Sequence, residues 1–96
     1  MNAYLVEFVG TLFFLYVILA TGNAIAIGSA LAVAILIGGP VSGGMFNPAV
    51  TVMMVVAGKL DRQKAIPYVI AQVAGGLAAL EIYRHLQDSI EINKNP

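Results

Sequence analysis

Apolar residues come in three long runs along this chain, separated by brief polar punctuation. Residues 3–21 form the first run and hold one acid, Glu7. Residues 23–39 form the second, rich in Ala, Ile, Leu and Gly and closed by Pro40. Residues 65–84 form the third, with Gln72 near its middle and Glu81 near its end. A helix crosses a hydrocarbon core of about 30 Å with about 20 residues, so each run predicts a membrane-spanning helix, the second with help from its flanks. Thr21-Gly22-Asn23 is a tight link, so the first two helices should be antiparallel neighbours. Residues 87–96 are polar and predict a tail that frays or extends beyond the membrane.

The second and third runs are separated by Gly43-Gly44-Met45-Phe46-Asn47-Pro48-Ala49-Val50-Thr51, then a short apolar stretch to residue 57. As a helix, residues 48–57 reach roughly 15 Å, about half of the hydrocarbon core. A half-length helix opening on Asn-Pro predicts a re-entrant segment that enters the bilayer, turns near the midplane and leaves by the same face. Non-helical backbone at that depth is tolerated only where it is buried in protein or lines an aqueous cavity. The polar loop Gly58-Lys59-Leu60-Asp61-Arg62-Gln63-Lys64 follows. The expected fold is an all-α membrane protein with three transmembrane helices plus one re-entrant half-helix. No internal repeat appears, so residues 1–96 read as one module built around a pore or a midplane binding site.

Composition agrees with the bilayer as solvent. Of the 96 residues, 59% are hydrophobic and 10% charged. A soluble domain of this size could not hide so much apolar surface. With no cysteine and one histidine, no disulfide, catalytic thiol, metal site or cofactor is expected. A net charge of zero argues against nucleic acid as a partner. The N-terminus lacks the basic region and cleavage site of a removable signal peptide, so the first run reads as a retained span. The expectation is a multi-pass integral membrane protein whose partners are lipid and whatever passes its midplane. Small residues four apart, Gly28 and Ala32 on the second helix and Ala71, Gly75 and Ala79 on the third, mark faces where helices can pack closely.

Few side chains carry chemistry. Asn47 can cap the half-helix with its oxygen and still offer its NH₂ to a solute, because an amide both accepts and donates. Pro48 suits the first helical position, where no N–H is missed. The end of the half-helix they form carries partial positive charge, which repels cations and orients water at the centre of a narrow pore. Glu7 would be costly facing lipid. Its two readings are an acceptor for N–H groups of the re-entrant loop, which is favoured, and a proton relay. Gln72 can likewise hold irregular backbone. His85, beside Arg84 at a helix end, reads as interfacial. No nucleophile, base and orienting group converge, so an enzyme is not expected.

These residues resemble a known family. Glu7-Phe8-Val9-Gly10-Thr11 looks like the start of the first helix of the aquaporin (major intrinsic protein) family. Ser42-Gly43-Gly44-Met45-Phe46-Asn47-Pro48-Ala49-Val50-Thr51 resembles its signature loop, and Ala71-Gln72 followed by Gly75 is similar to its third helix. The resemblance runs to about Tyr83. It implies a passive channel for water and small neutral solutes such as glycerol, with Asn47, Pro48 and Ala49 at the pore centre. Family members typically hold two homologous, inverted halves in one chain, and this chain matches one. Val50 stands where a second-half loop carries a filter arginine, and Met45 where a histidine is often found. By spacing from Asn47, Ile27 and Gly44 join Val50 as selectivity-filter candidates. Such a filter is apolar and without a fixed cation, which favours glycerol or another small neutral solute beside water.

One half cannot enclose a pore. The expected completion is a second copy in antiparallel orientation, the geometry of inverted repeats. Lys59, Arg62 and Lys64 lie on one side of the membrane and Arg84 and Lys94 on the other. So slight a bias gives little preferred orientation under the positive-inside rule, as a dual-topology protein needs. By analogy with the family's groups of four pores, eight chains would form four pores. Two alternatives stay open: a half-channel needing a different second-half chain, and a non-conducting membrane interaction subunit.

Overall fold

The computed structural model describes residues 1–94 as helices joined by short links, with no strand among the described residues. In chain order these are α1 (Ala3–Thr21), α2 (Ala24–Ser42), α3 (Pro48–Val56) and α4 (Ala65–Lys94), with a single 3₁₀ turn at Arg62–Lys64. Three of them, α1, α2 and α4, are long and apolar enough to cross a membrane. With the shorter α3, the arrangement is consistent with half of an aquaporin fold.

Local chemistry sets most of the ends. The Asn2 side chain accepts from Leu5 N–H at 2.8 Å and starts α1. Gly22, at φ +54°, ends it in the left-handed conformation that glycine adopts without a Cβ penalty. Asn23 then accepts from Ala26 N–H at 3.0 Å and starts α2 at once. So α1 and α2 form a tight hairpin.

Two boundaries depart from the sequence expectation. Pro40 does not end α2, which continues to Ser42. A proline removes one helical N–H and crowds the carbonyl four residues back. Here that happens in the last turn, where the loss is confined to one bond. Ser42 Oγ lies 3.4 Å from Gly38 O, and Gly43 N–H donates to Gly39 O at 2.8 Å, so the final turn still closes. Nor does the last helix stop at residue 84, where the expected third span ends. Residues 85–94 continue α4, whose 30 residues extend roughly 45 Å. Of the polar tail, residues 95 and 96 lie outside the described residues.

Central α1 packs against both α2 and α4, and α3 rests on α4. Where α1 crosses α4 the backbones nearly touch: a Cβ at Gly75 would lie 2.6 Å from Phe8 O and 3.1 Å from Leu12 N. Ala79 is buried on the same stripe. On α2 the buried small residues are Ala30, Ala34, Gly38 and Ser42, whereas Gly28 and Ala32 are exposed. The four-residue spacing was right, but the face is rotated, because Ser42 must meet α1 for reasons given below. Tyr4 and Tyr68 stack edge to face, centroids 5.8 Å apart, so α1 and α4 start at the same end of the molecule.

Candidate functional site

The interior of this apolar chain is polar. Glu7, Thr11, Thr51, Tyr68 and Gln72 are its largest fully buried side chains, while Leu36, Ile37 and Val56 lie three-quarters or more exposed. In a bilayer such an inversion costs little on the outside and must be matched by hydrogen bonds inside.

The matching centres on Glu7. Its Oε2 accepts from Ser42 Oγ–H at 2.6 Å and from Met45 N–H at 3.1 Å. Its Oε1 accepts from Phe46 N–H at 2.8 Å and Gln72 Nε2–H at 2.9 Å. One carboxylate therefore collects two backbone donors of the link between α2 and α3 and ties them to α2 and α4. Gln72 spends its second N–H on Thr51 Oγ1 at 2.8 Å, and Thr51 Oγ1–H donates to Asn47 O at 3.0 Å. Tyr68 O–H donates to Ser42 O at 2.6 Å, and Gly44 N–H donates to Ser42 Oγ at 3.1 Å. Residues 43–47 leave the helical pattern: Gly43 and Gly44 N–H turn back to α2, Met45 and Phe46 N–H are taken by Glu7 of α1, and Ser42 O is taken by Tyr68 of α4.

Asn47 is the N-cap of α3. Its Oδ1 accepts from Ala49 N–H at 2.8 Å and from Val50 N–H at 3.4 Å, and Pro48 takes the first helical position. With the oxygen engaged, the exposed side chain has its Nδ2–H₂ left to offer. Pro48 and Ala49 are exposed beside it. Asn47, Pro48 and Thr11 wall a groove of about 520 Å³ between α1 and α4, with Phe14, Leu77 and Leu80 among its apolar walls. Thr11 is the ninth residue of α1, and α1 has 19. The ring of Phe46, the residue before Asn47, lies against Gly10, the eighth residue of α1, so Asn47 stands near the middle of a helix about as long as the hydrocarbon core is thick.

Of the residues expected at the site, Glu7, Gln72 and Asn47 come together through the network just described. Ile27, Gly44 and Val50 are half-buried and none of them walls the Asn47 groove. Ile27 sits in the first turn of α2, and Gly44 passes over α2, where a Cβ would lie 3.5 Å from Ile35 Cα. Sequence reasoning gave no role to Ser42, Thr51, Tyr68 or Phe46. For Tyr68 a signal was present: it lies four residues before Gln72, on the same face of α4.

The comparisons place this geometry. Residues 1–95 match the family model described as "Major intrinsic protein". The chain belongs to the major intrinsic protein family. A glycerol uptake facilitator protein-like 6 from Lactiplantibacillus plantarum is 41% identical over 88 residues, covering 82% of this chain and 41% of that protein. An aquaglyceroporin, AqpS, from Rhizobium meliloti is 50% identical over 56 residues, covering 58% of this chain and 24% of that one. An aquaporin TIP2-1 from Arabidopsis thaliana is 32% identical over 113 aligned positions, covering 96% and 44%. The chain thus spans less than half the length of these relatives. No solved structure matches it. Major intrinsic proteins are integral membrane channels rather than enzymes, and the three spanning helices agree with that.

Proposed function

We infer that this chain forms one half of a passive channel for water and small neutral solutes such as glycerol. The observation that carries the reading is Asn47: an exposed amide at mid-helix depth, its oxygen fixed by the α3 cap and its NH₂ directed to no acceptor among the described residues. Asn47, Pro48 and Ala49 form the narrow centre, and the positive end of α3 repels cations there. Glu7 and Gln72 hold the loop. Ile27, Gly44 and Val50 line the approach as an apolar filter with no fixed cation.

The second half is another copy in antiparallel orientation, with two Asn47 side chains meeting near the midplane. Support comes from the groove beyond Asn47. It runs along α1 from Thr11 to Leu19 and along α4 from Gln72 to Leu80, roughly 12 Å on each helix. The nine residues of α3 reach roughly 14 Å, and Val52, Met53 and Val56 give α3 an exposed apolar ridge. Groove and ridge match in length and character, and a two-fold axis would use each twice. Four such pairs, eight chains in all, would give the four-pore grouping of the family.

Stopped-flow swelling of proteoliposomes in water and glycerol gradients, beside planar-bilayer conductance, tests the channel. The expected result is permeability to both above empty liposomes, without ion current. Single-ion currents, or no gain in permeability with insertion verified, would overturn it. Accessibility labelling of the C-terminus tests the pairing: chains facing both ways support it, and all chains facing one way exclude the antiparallel homodimer. Arg at Val50 should favour water over glycerol, and an unchanged ratio would remove Val50 from the filter.

A further inference from the structure

Among the described residues, Phe46 alone combines a side chain with a positive φ, +50°. A left-handed backbone is unusual for any residue with a Cβ and an outlier for a bulky one. Glycine would adopt it freely, and the chain already uses glycine at Gly43 and Gly44. At position 46 it has an aromatic ring instead, 2% exposed.

The ring lies in a slot made by glycines on two helices. A Cβ at Gly10 of α1 would fall 2.1 Å from the ring's Cε1, and one at Gly38 of α2 would fall 2.9 Å from its Cζ. Neither position has room for alanine while the ring is in place. The ring also separates two grooves, the one beside Asn47 and a second between α1 and α2. On the backbone side, Phe46 N–H is held by Glu7 Oε1 at 2.8 Å. The next residue, Asn47, is back in extended conformation at φ −164°. The chain therefore reverses its backbone sense in one step, at the residue before the exposed amide.

We propose that Phe46 is the positioning residue for Asn47: its ring, clamped between Gly10 and Gly38, holds residue 46 left-handed and so fixes the direction in which the Asn47 amide enters the groove. The clamp acts through the backbone. Glu7 fixes the Phe46 N–H and the slot fixes the ring, so residue 46 is held at two points and cannot relax to an ordinary conformation. The α3 cap is local and would persist without the ring, but its amide would face elsewhere. The consequence for permeation rests on the channel reading above; the geometric claim does not.

The test reads Asn47 directly. Side-chain NH₂ resonances of Asn47 are followed by NMR in ¹⁵N-labelled protein in detergent, assigned by their loss in Asn47→Asp. Gly10→Ala and Phe46→Ala should each shift or split the Asn47 signals, whereas Phe46→Leu, which refills the slot, should restore the wild-type pattern. Gly10→Ala should add nothing once the ring is gone, so the double variant should match Phe46→Ala alone. Gly38→Ala gives a gentler push on the same ring, and serves if Gly10→Ala does not fold. In proteoliposomes the shifted variants should change the glycerol-to-water permeability ratio. Wild-type Asn47 signals in variants that merely melt earlier, or additive effects of Gly10→Ala and Phe46→Ala, would overturn the proposal and leave Phe46 as filler. Absence of permeation in the unaltered protein would overturn the channel reading and leave the NMR comparison intact.

Discussion

The α1–α4 pair has two unlike ends. Toward the start of both helices, Glu7, Tyr68 and Gln72 are buried to 1% exposure or less beneath α3 and the loop that enters it. Toward the other end, Ile18, Leu19 and Leu77 are between 37% and 61% exposed along an open groove. Over residues 3–21 and 65–80 the two helices are thus polar where covered and apolar where bare. Irregular backbone explains the difference. Met45 and Phe46 bring buried N–H groups that no helix backbone satisfies, and each would cost about 1–3 kcal/mol if left unpaired. Polar side chains stand where those donors arrive, and where no loop arrives the helices revert to leucine and isoleucine.

Glu7→Leu breaks this contrast most severely. It removes the acceptor for two backbone and two side-chain donors, and at about 1–3 kcal/mol per stranded donor it should prevent stable folding or lower the thermal midpoint in detergent sharply. Glu7→Gln is the control. Its oxygen can serve Phe46 and Gln72, Ser42 Oγ can turn to accept, and only Met45 N–H loses its partner, so the cost should be about 1–3 kcal/mol. Leu and wild-type proteins melting together would show that the acid is not needed at this end.

Gln72→Leu should cost about 1–3 kcal/mol, well below Glu7→Leu, because Glu7 keeps three of its donors and Thr51, though it loses the donor to its Oγ1, still donates to Asn47 O. Circular dichroism melts would read it, and no change would mean that α4 contributes only packing. At the bare end, Gly76→Leu sharpens the contrast. A Cβ at Gly76 meets only the flexible tip of Leu15, at 2.9 Å, so the monomer should hold while the groove fills. Disulfide capture between copies with Cys at Asn47 should fall about tenfold, the equivalent of about 1.4 kcal/mol of lost packing. Undiminished capture would place the contact elsewhere. Pro40→Ala should do least, restoring one N–H in the last turn of α2 and raising stability by about 1 kcal/mol or less in the same melts.

The sequence made the long-range plan legible where a signal is local and repeated. Runs near 20 apolar residues yield three spans, and Asn47-Pro48 carries its own cap. Less legible were features decided by distant contacts. Ser42 is bonded to a residue 35 positions away and Thr51 to one 21 away, so their neighbours along the chain say nothing of either. The slot at Gly10 and Gly38 depends on a ring from a third segment. Pro40 misled because a proline that stops a helix in water costs one bond near a helix end, and Ser42 Oγ lies close to a carbonyl of that turn.

Glu7 also has a place in time. It is made 35 residues before Ser42, 38 and 39 before the two loop amides, and 65 before Gln72. During synthesis α1 must therefore begin to enter the bilayer while its acid lacks all four partners. An unpaired acid in an inserting helix costs up to about 3 kcal/mol, which the Leu, Ile, Phe and Val side chains of α1, at about 0.3–0.6 kcal/mol each, offset. So α1 emerges before every segment that fixes its acid, and its polar contacts are complete only when residues 42–46, and then Gln72, have followed it in.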